Sequence, residues 1–127
     1  MYKEHLWDHY KHPRKKERIP MPNCTYHEHN PSCGDELTID FTIDDGVIKD
    51  VGWAGRGCVI SLSAASMLCE ELPGMKVEDV IRLPRDDMLE MLGIDLHIMR
   101  IKCGLLALHT AKKGLCKYLG SQEEGEW

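Results

Sequence analysis

Glu36-Leu37-Thr38-Ile39-Asp40-Phe41-Thr42-Ile43-Asp44-Asp45-Gly46-Val47-Ile48-Lys49-Asp50-Val51-Gly52-Trp53 is the stretch that decides the fold. Leu37, Ile39, Phe41 and Ile43 alternate with Glu36, Thr38, Asp40 and Thr42, the period of two that buries one face of a strand. Asp45-Gly46 is a hairpin turn pair, because both residues tolerate the positive φ that tight primed turns require. Residues 47–53 then return as the antiparallel partner, and Gly55-Arg56-Gly57 ends that strand.

Outward from the hairpin the pattern becomes helical. Residues 2–12 form a short helix that Pro13 stops, since the residue before a proline is pushed out of helical geometry. Residues 19–31 hold three of the six prolines and show no period, which predicts an irregular or short edge-strand segment. After Cys58, with Ser61 as a candidate cap, Ala65, Leu68 and Leu72 recur at helical spacing until Pro73-Gly74. Residues 76–83 and 84–92 predict two short helices, the second opening on Pro84 with Asp86 and Asp87 in its first turn. Ile98, Ile101, Leu105, Leu108 and Leu115 mark a long amphipathic helix reaching about Tyr118. The order is helix, small antiparallel sheet, then helices: an α+β domain over residues 1–120, with 121–127 expected to be a frayed acidic tail.

The 127 residues carry 16 Lys+Arg against 21 Asp+Glu, a formal charge of −5, which argues against nucleic acid as the main partner. No apolar run approaches the roughly 18 residues that span a bilayer, and the N-terminus lacks a signal-peptide core, so a cytoplasmic location is expected. Six cysteines in such a chain read as reduced thiols instead of a disulfide framework.

The thiols sort by their neighbours. Cys33 lies in Asn30-Pro31-Ser32-Cys33-Gly34-Asp35, with a carboxylate two residues on that can share a metal or a proton. Cys58 follows Gly55-Arg56-Gly57 at a helix N-terminus, where unpaired amides and the helix dipole favour thiolate. Cys103 sits in Arg100-Ile101-Lys102-Cys103-Gly104, beside two cations. Glycine flanking predicts exposed thiols at these positions. Cys24, Cys69 and Cys116 lie in apolar or proline-rich surroundings and read as structural. His5 and His9, four apart, could chelate from one helical face, and His27 and His29 are candidate extra ligands. Three thiols and one carboxylate at the ends of regular elements suit tetrahedral zinc or an iron–sulfur cluster. With Asp35 as fourth ligand and no local CxxC pair, such a site holds its cargo less firmly than four cysteines would.

Four segments together resemble the IscU/SufU/NifU N-terminal family: Asp8-His9-Tyr10-Lys11-His12-Pro13-Arg14, Asn30-Pro31-Ser32-Cys33-Gly34-Asp35, the stretch from Gly55-Arg56-Gly57-Cys58 to Ser66-Met67, and Arg100-Ile101-Lys102-Cys103-Gly104-Leu105-Leu106-Ala107. The resemblance implies a three-stranded antiparallel sheet packed against helices. It also implies a scaffold on which sulfur from a cysteine desulfurase and iron are built into a transient [2Fe–2S] cluster for apo iron–sulfur proteins or carrier proteins. By position, Cys33, Asp35, Cys58 and Cys103 match the family's ligands to iron, cluster or zinc. Asp35 matches the aspartate associated with cluster release, and Cys103 the persulfide acceptor of sulfur relay.

Two departures divide the family's branches. IscU-type members carry a histidine where this chain has Lys102, and the Leu-Pro-Pro-Val-Lys chaperone signal is missing before Cys103. The Arg100-Ile101-Lys102-Cys103 stretch instead resembles SufU, a zinc-dependent sulfurtransferase type. Yet only 44 residues separate Cys58 from Cys103, without the SufU insertion. The readings are therefore a non-enzymatic cluster scaffold, a zinc-holding sulfurtransferase that uses Cys103 as acceptor, and a structural zinc domain.

Overall fold

The hairpin forms as its alternation dictates. In the computed structural model, which describes residues 3–30, 34–94 and 98–120, β2 (Glu36–Asp44) and β3 (Val47–Arg56) are antiparallel. Asp45 and Gly46 make the turn at φ 53° and 74°. β3 runs through Gly55 to Arg56, so only Gly57 of the Gly55-Arg56-Gly57 stretch lies beyond it. A bulge between Thr42 and Ile43 shifts the register by one residue, from Ile43 opposite Ile48 to Thr42 opposite Asp50. Leu37, Ile39, Phe41 and Ile43 are buried as the pattern predicts, and Val51 and Trp53 join them.

The proline-rich segment resolves into an edge strand, β1 (Cys24–His29), antiparallel to β2 in a sheet of order β1-β2-β3. Residues 14–19 run along the sheet and are tied to it. The Trp53 N–H donates to Lys15 O (2.9 Å), its indole N–H donates to Arg14 O (2.8 Å), and Arg18 grips the buried Asp40 carboxylate. Near the start of β3, Ile48 N–H donates to Met75 O (2.9 Å) and Gly74 N–H to Ile48 O (2.8 Å).

Among the described residues five helices complete the α+β domain: α1 (Glu4–Lys11), α2 (Val59–Glu71), α3 (Val77–Ile81), α4 (Arg85–Leu92) and α5 (Ile98–Tyr118). Pro84 stands at the N-cap of α4, as predicted, with Asp86 and Asp87 in its first turn. Every residue of α2 from Ile60 to Cys69 is buried, because the helix packs against α1, α5 and β3 together. α5 lies across β1 and β2, with Gly114 against Cys24 and Tyr26 and His109 against Glu28. No helix among the described residues is long and apolar enough to cross a membrane. The expected tail, 121–127, lies outside the described residues.

Candidate metal centre

The site is assembled by the open end of the β2–β3 hairpin. Glu36 pairs with Arg56, so the next position sets Asp35 opposite Gly57. Asp35 is two residues before Leu37 and shares its inward face, where it is 3% exposed. A Cβ at position 57 would fall on Asp35 Oδ1 and lie 2.8 Å from its Cγ. Glycine at 57 is thus what lets the carboxylate occupy this place.

The chain then turns into α2 with Cys58 as N-cap. Cys58 makes no side-chain capping bond of its own. Asp35 supplies the cap from another element: its Oδ1 accepts the Cys58 N–H at 3.0 Å, and its Oδ2 accepts the hydroxyl of Ser61. Asp35 thus takes, from across the fold, the N-cap amide that a Glu or Gln in the first turn accepts in a capping box. The expectation that Ser61 caps the helix is corrected. It sits in the first turn, fully buried, and its hydroxyl turns to Asp35 and lies 3.5 Å from Cys58 Sγ.

Cys103 comes from α5, whose packing on α2 carries its thiol to the same corner. One ligand atom from each of Asp35, Cys58 and Cys103 lies within 4.8 Å of the others. Cys58 Sγ is 3.7 Å from Asp35 Oδ2. The prediction of exposed thiols does not hold: Cys58 is half-buried and Cys103 is 0% exposed, while Arg100 and Lys102 beside it face solvent. Cys33 lies outside the described residues. The described ends of its loop are joined, with Asn30 N–H donating to Asp35 O at 2.8 Å and Gly34 N–H to Asn30 O at 2.9 Å.

Other thiols and imidazoles among the described residues lie apart from this group. Cys24 donates to Gly114 O at 3.4 Å, and burial pushes its pKa up to about 11; burial raises that of Cys69 further still. Cys116 is buried too. Such thiols are poor nucleophiles. His5 and His9 do not form a chelating pair: His5 Nε2 meets Leu92 O and His9 Nδ1 meets Ser66 Oγ. His27 Nδ1 pairs with Thr38 Oγ1, and neither His27 nor His29 joins the Asp35, Cys58 and Cys103 group. His109, which the sequence did not single out, is buried against Glu28 at 3.5 Å.

Two thiols and a carboxylate within coordinating reach of one another, at a helix N-terminus, form a donor set that fits zinc or iron and suits hard cations poorly. Fold and site together define a small α+β domain with a mixed thiol–carboxylate centre. The chain belongs to the NifU-like N-terminal domain family, whose model matches residues 1–125. It is 33% identical to the iron–sulfur cluster assembly scaffold protein IscU of Thermotoga maritima, over 92% of this chain and 94% of that one. It is 27% identical to the zinc-dependent sulfurtransferase SufU of Bacillus subtilis, over 94% of this chain and 92% of that one. Among solved structures, a protein described as an iron–sulfur cluster assembly scaffold for the SUF system of Fervidobacterium islandicum superposes with a TM-score of 0.80. Identity there is 26%, over 90% of this chain and 96% of that one.

Proposed function

We propose that this protein is a cytoplasmic iron–sulfur cluster assembly scaffold. In this reading it accepts persulfide sulfur from a cysteine desulfurase, which an electron donor reduces to sulfide, gathers the sulfide with iron as a transient [2Fe–2S] cargo on Cys33, Asp35, Cys58 and Cys103, and yields the cargo to apo-proteins or carriers. The observation that carries the reading is the meeting of Asp35, Cys58 and Cys103 within 4.8 Å, in a chain similar to named scaffold proteins. Thiolates are soft donors that retain iron, while a carboxylate exchanges more readily, so one hard ligand among soft ones favours a site that can let go. Burial of Asp35 and Cys103 keeps water from the cargo.

A second reading is a zinc-dependent sulfur relay, favoured by Lys102 beside Cys103, where an imidazole ligand is replaced by an amine, and by likeness to the Bacillus subtilis sulfurtransferase. Its central step is the attack of the Cys103 thiolate on the outer sulfur of a desulfurase persulfide. A new S–S bond forms at Cys103 and the desulfurase leaves as its thiolate. That step needs an accessible Cys103, and its burial weighs for the scaffold.

Anaerobic reconstitution with ferrous iron, a cysteine desulfurase and cysteine tests the choice. A scaffold should acquire acid-labile sulfide, visible absorption and the Mössbauer signature of a [2Fe–2S] centre. A chain that forms no cluster and retains one zinc would overturn the proposal and leave the relay.

A further inference from the structure

The carboxylate of Asp35 is held by a seat of three parts. Gly57 leaves the space, the Cys58 amide donates to Oδ1, and the Ser61 hydroxyl donates to Oδ2. Ser61 is 0% exposed, so no bulk water can replace the carboxylate as its partner. Its hydroxyl oxygen touches two atoms of the centre, donating to Asp35 Oδ2 and lying 3.5 Å from Cys58 Sγ.

We propose that Ser61 is a positioning residue of the metal centre, fixing the Asp35 carboxylate beside the Cys58 and Cys103 thiols so that it ligates as an already oriented donor. The inference rests on the reading of Asp35, Cys58 and Cys103 as ligands. Oδ2 also lies 3.7 Å from Cys58 Sγ, so the seat sets one carboxylate oxygen directly beside the thiol with which it would share a metal. Outer partners of this kind typically alter metal affinity by about 10- to 100-fold when removed. An ordinary helix cap would affect folding and leave the metal's surroundings unchanged, and that difference separates the two roles.

Cobalt(II), a visible substitute for zinc, provides the test on the full chain under anaerobic conditions, with a competing chelator to measure affinity. The parent is expected to bind one cobalt with near-ultraviolet thiolate charge-transfer absorption. Absence of those bands would remove the ligand reading and the inference with it. Ser61→Ala should keep the thiolate bands, change the visible d–d envelope and bind about tenfold or more weakly. Asp35→Ala should cost less affinity in the Ser61→Ala background than in the parent, because the two residues act through one carboxylate. Parental affinity and spectrum in Ser61→Ala, or fully additive losses, would overturn the role of Ser61 while leaving the centre intact. Should Ser61→Ala fail to fold, Ser61→Thr and Gly57→Ala decide. The first keeps the hydroxyl and should bind like the parent, and the second crowds Asp35 and should bind weakly; the reverse order refutes the proposal.

Discussion

Asp40 is a second buried carboxylate, and it shows how one residue can tie a loop to a sheet. Its oxygens accept from Arg18 Nε (2.6 Å) and Nη2 (3.1 Å), from Ile19 N–H (3.1 Å) and from Thr25 Oγ1 (2.9 Å). Burial raises its pKa, but the bonds from Arg18, Thr25 and Ile19 outweigh that and hold it below the usual 3.8. A carboxylate with a depressed folded pKa contributes stability that is complete above its unfolded value, about 3.9, and lost as pH falls through the folded one. Asp40→Ala should therefore cost about 2 kcal/mol at pH 7 in urea unfolding, and part of the protein's acid sensitivity below pH 4 should vanish with it. Alternation in β2 marked Asp40 as water-facing, because period two separates the faces of a strand without saying what lies over each. Ser61 was misread for a related reason: local spacing nominates a first-turn serine as cap, while its actual partner is 26 positions upstream.

At the scale of elements, polar contacts help tie α1 and the segment after it to α2. Ser63 Oγ donates to Leu6 O at 2.8 Å, and Ser66 Oγ takes the Arg14 N–H at 2.8 Å while touching His9 Nδ1 at 2.7 Å. Burial lowers the His9 pKa, assisted by Arg14 and His5 and opposed by Glu70 and Asp8. The folded protein therefore prefers neutral His9. Stability from this contact is complete above the unfolded pKa, about 6.5, and lost as pH falls through the lower folded value. Between pH 7 and pH 5, α1 should loosen, seen as a change in Trp7 fluorescence, and His9→Gln should flatten that response. An unchanged pH response in His9→Gln would place the titration elsewhere, such as at His109. The helices were legible because prolines, first-turn acids and apolar stripes mark them. β1 was only half legible: its inward residues are Cys24, Tyr26 and Glu28, of which the last is charged and pairs with buried His109, so no apolar alternation announces it.

Over the whole molecule, the order of elements and the three-stranded sheet could be read in advance, whereas the geometry of the centre turns on one residue of register. Counting back from the Asp45-Gly46 turn without interruption sets Asp35 opposite Arg56. The bulge at Thr42/Ile43 shifts the count and brings Gly57 there instead. A bulge moves every later residue to a new partner, and nothing in the alternation of β2 signals it. The ligand types were thus visible in the sequence; the empty space that seats Asp35 was not.

β3 lies at the margin of the sheet, and margins are where strands from other molecules add on. Here two unrelated stretches of the same chain take up that margin, Lys15 at one end and Gly74 to Met75 at the other. In amide hydrogen exchange, Ile48 and Trp53 should accordingly be protected like residues of a central strand and unlike those of an ordinary border. Protection at Trp53 should fall in Asp40→Ala, once the Arg18 anchor is gone. The chain has sealed one side of its own sheet, so this flank resists the strand-by-strand polymerisation that exposed borders invite.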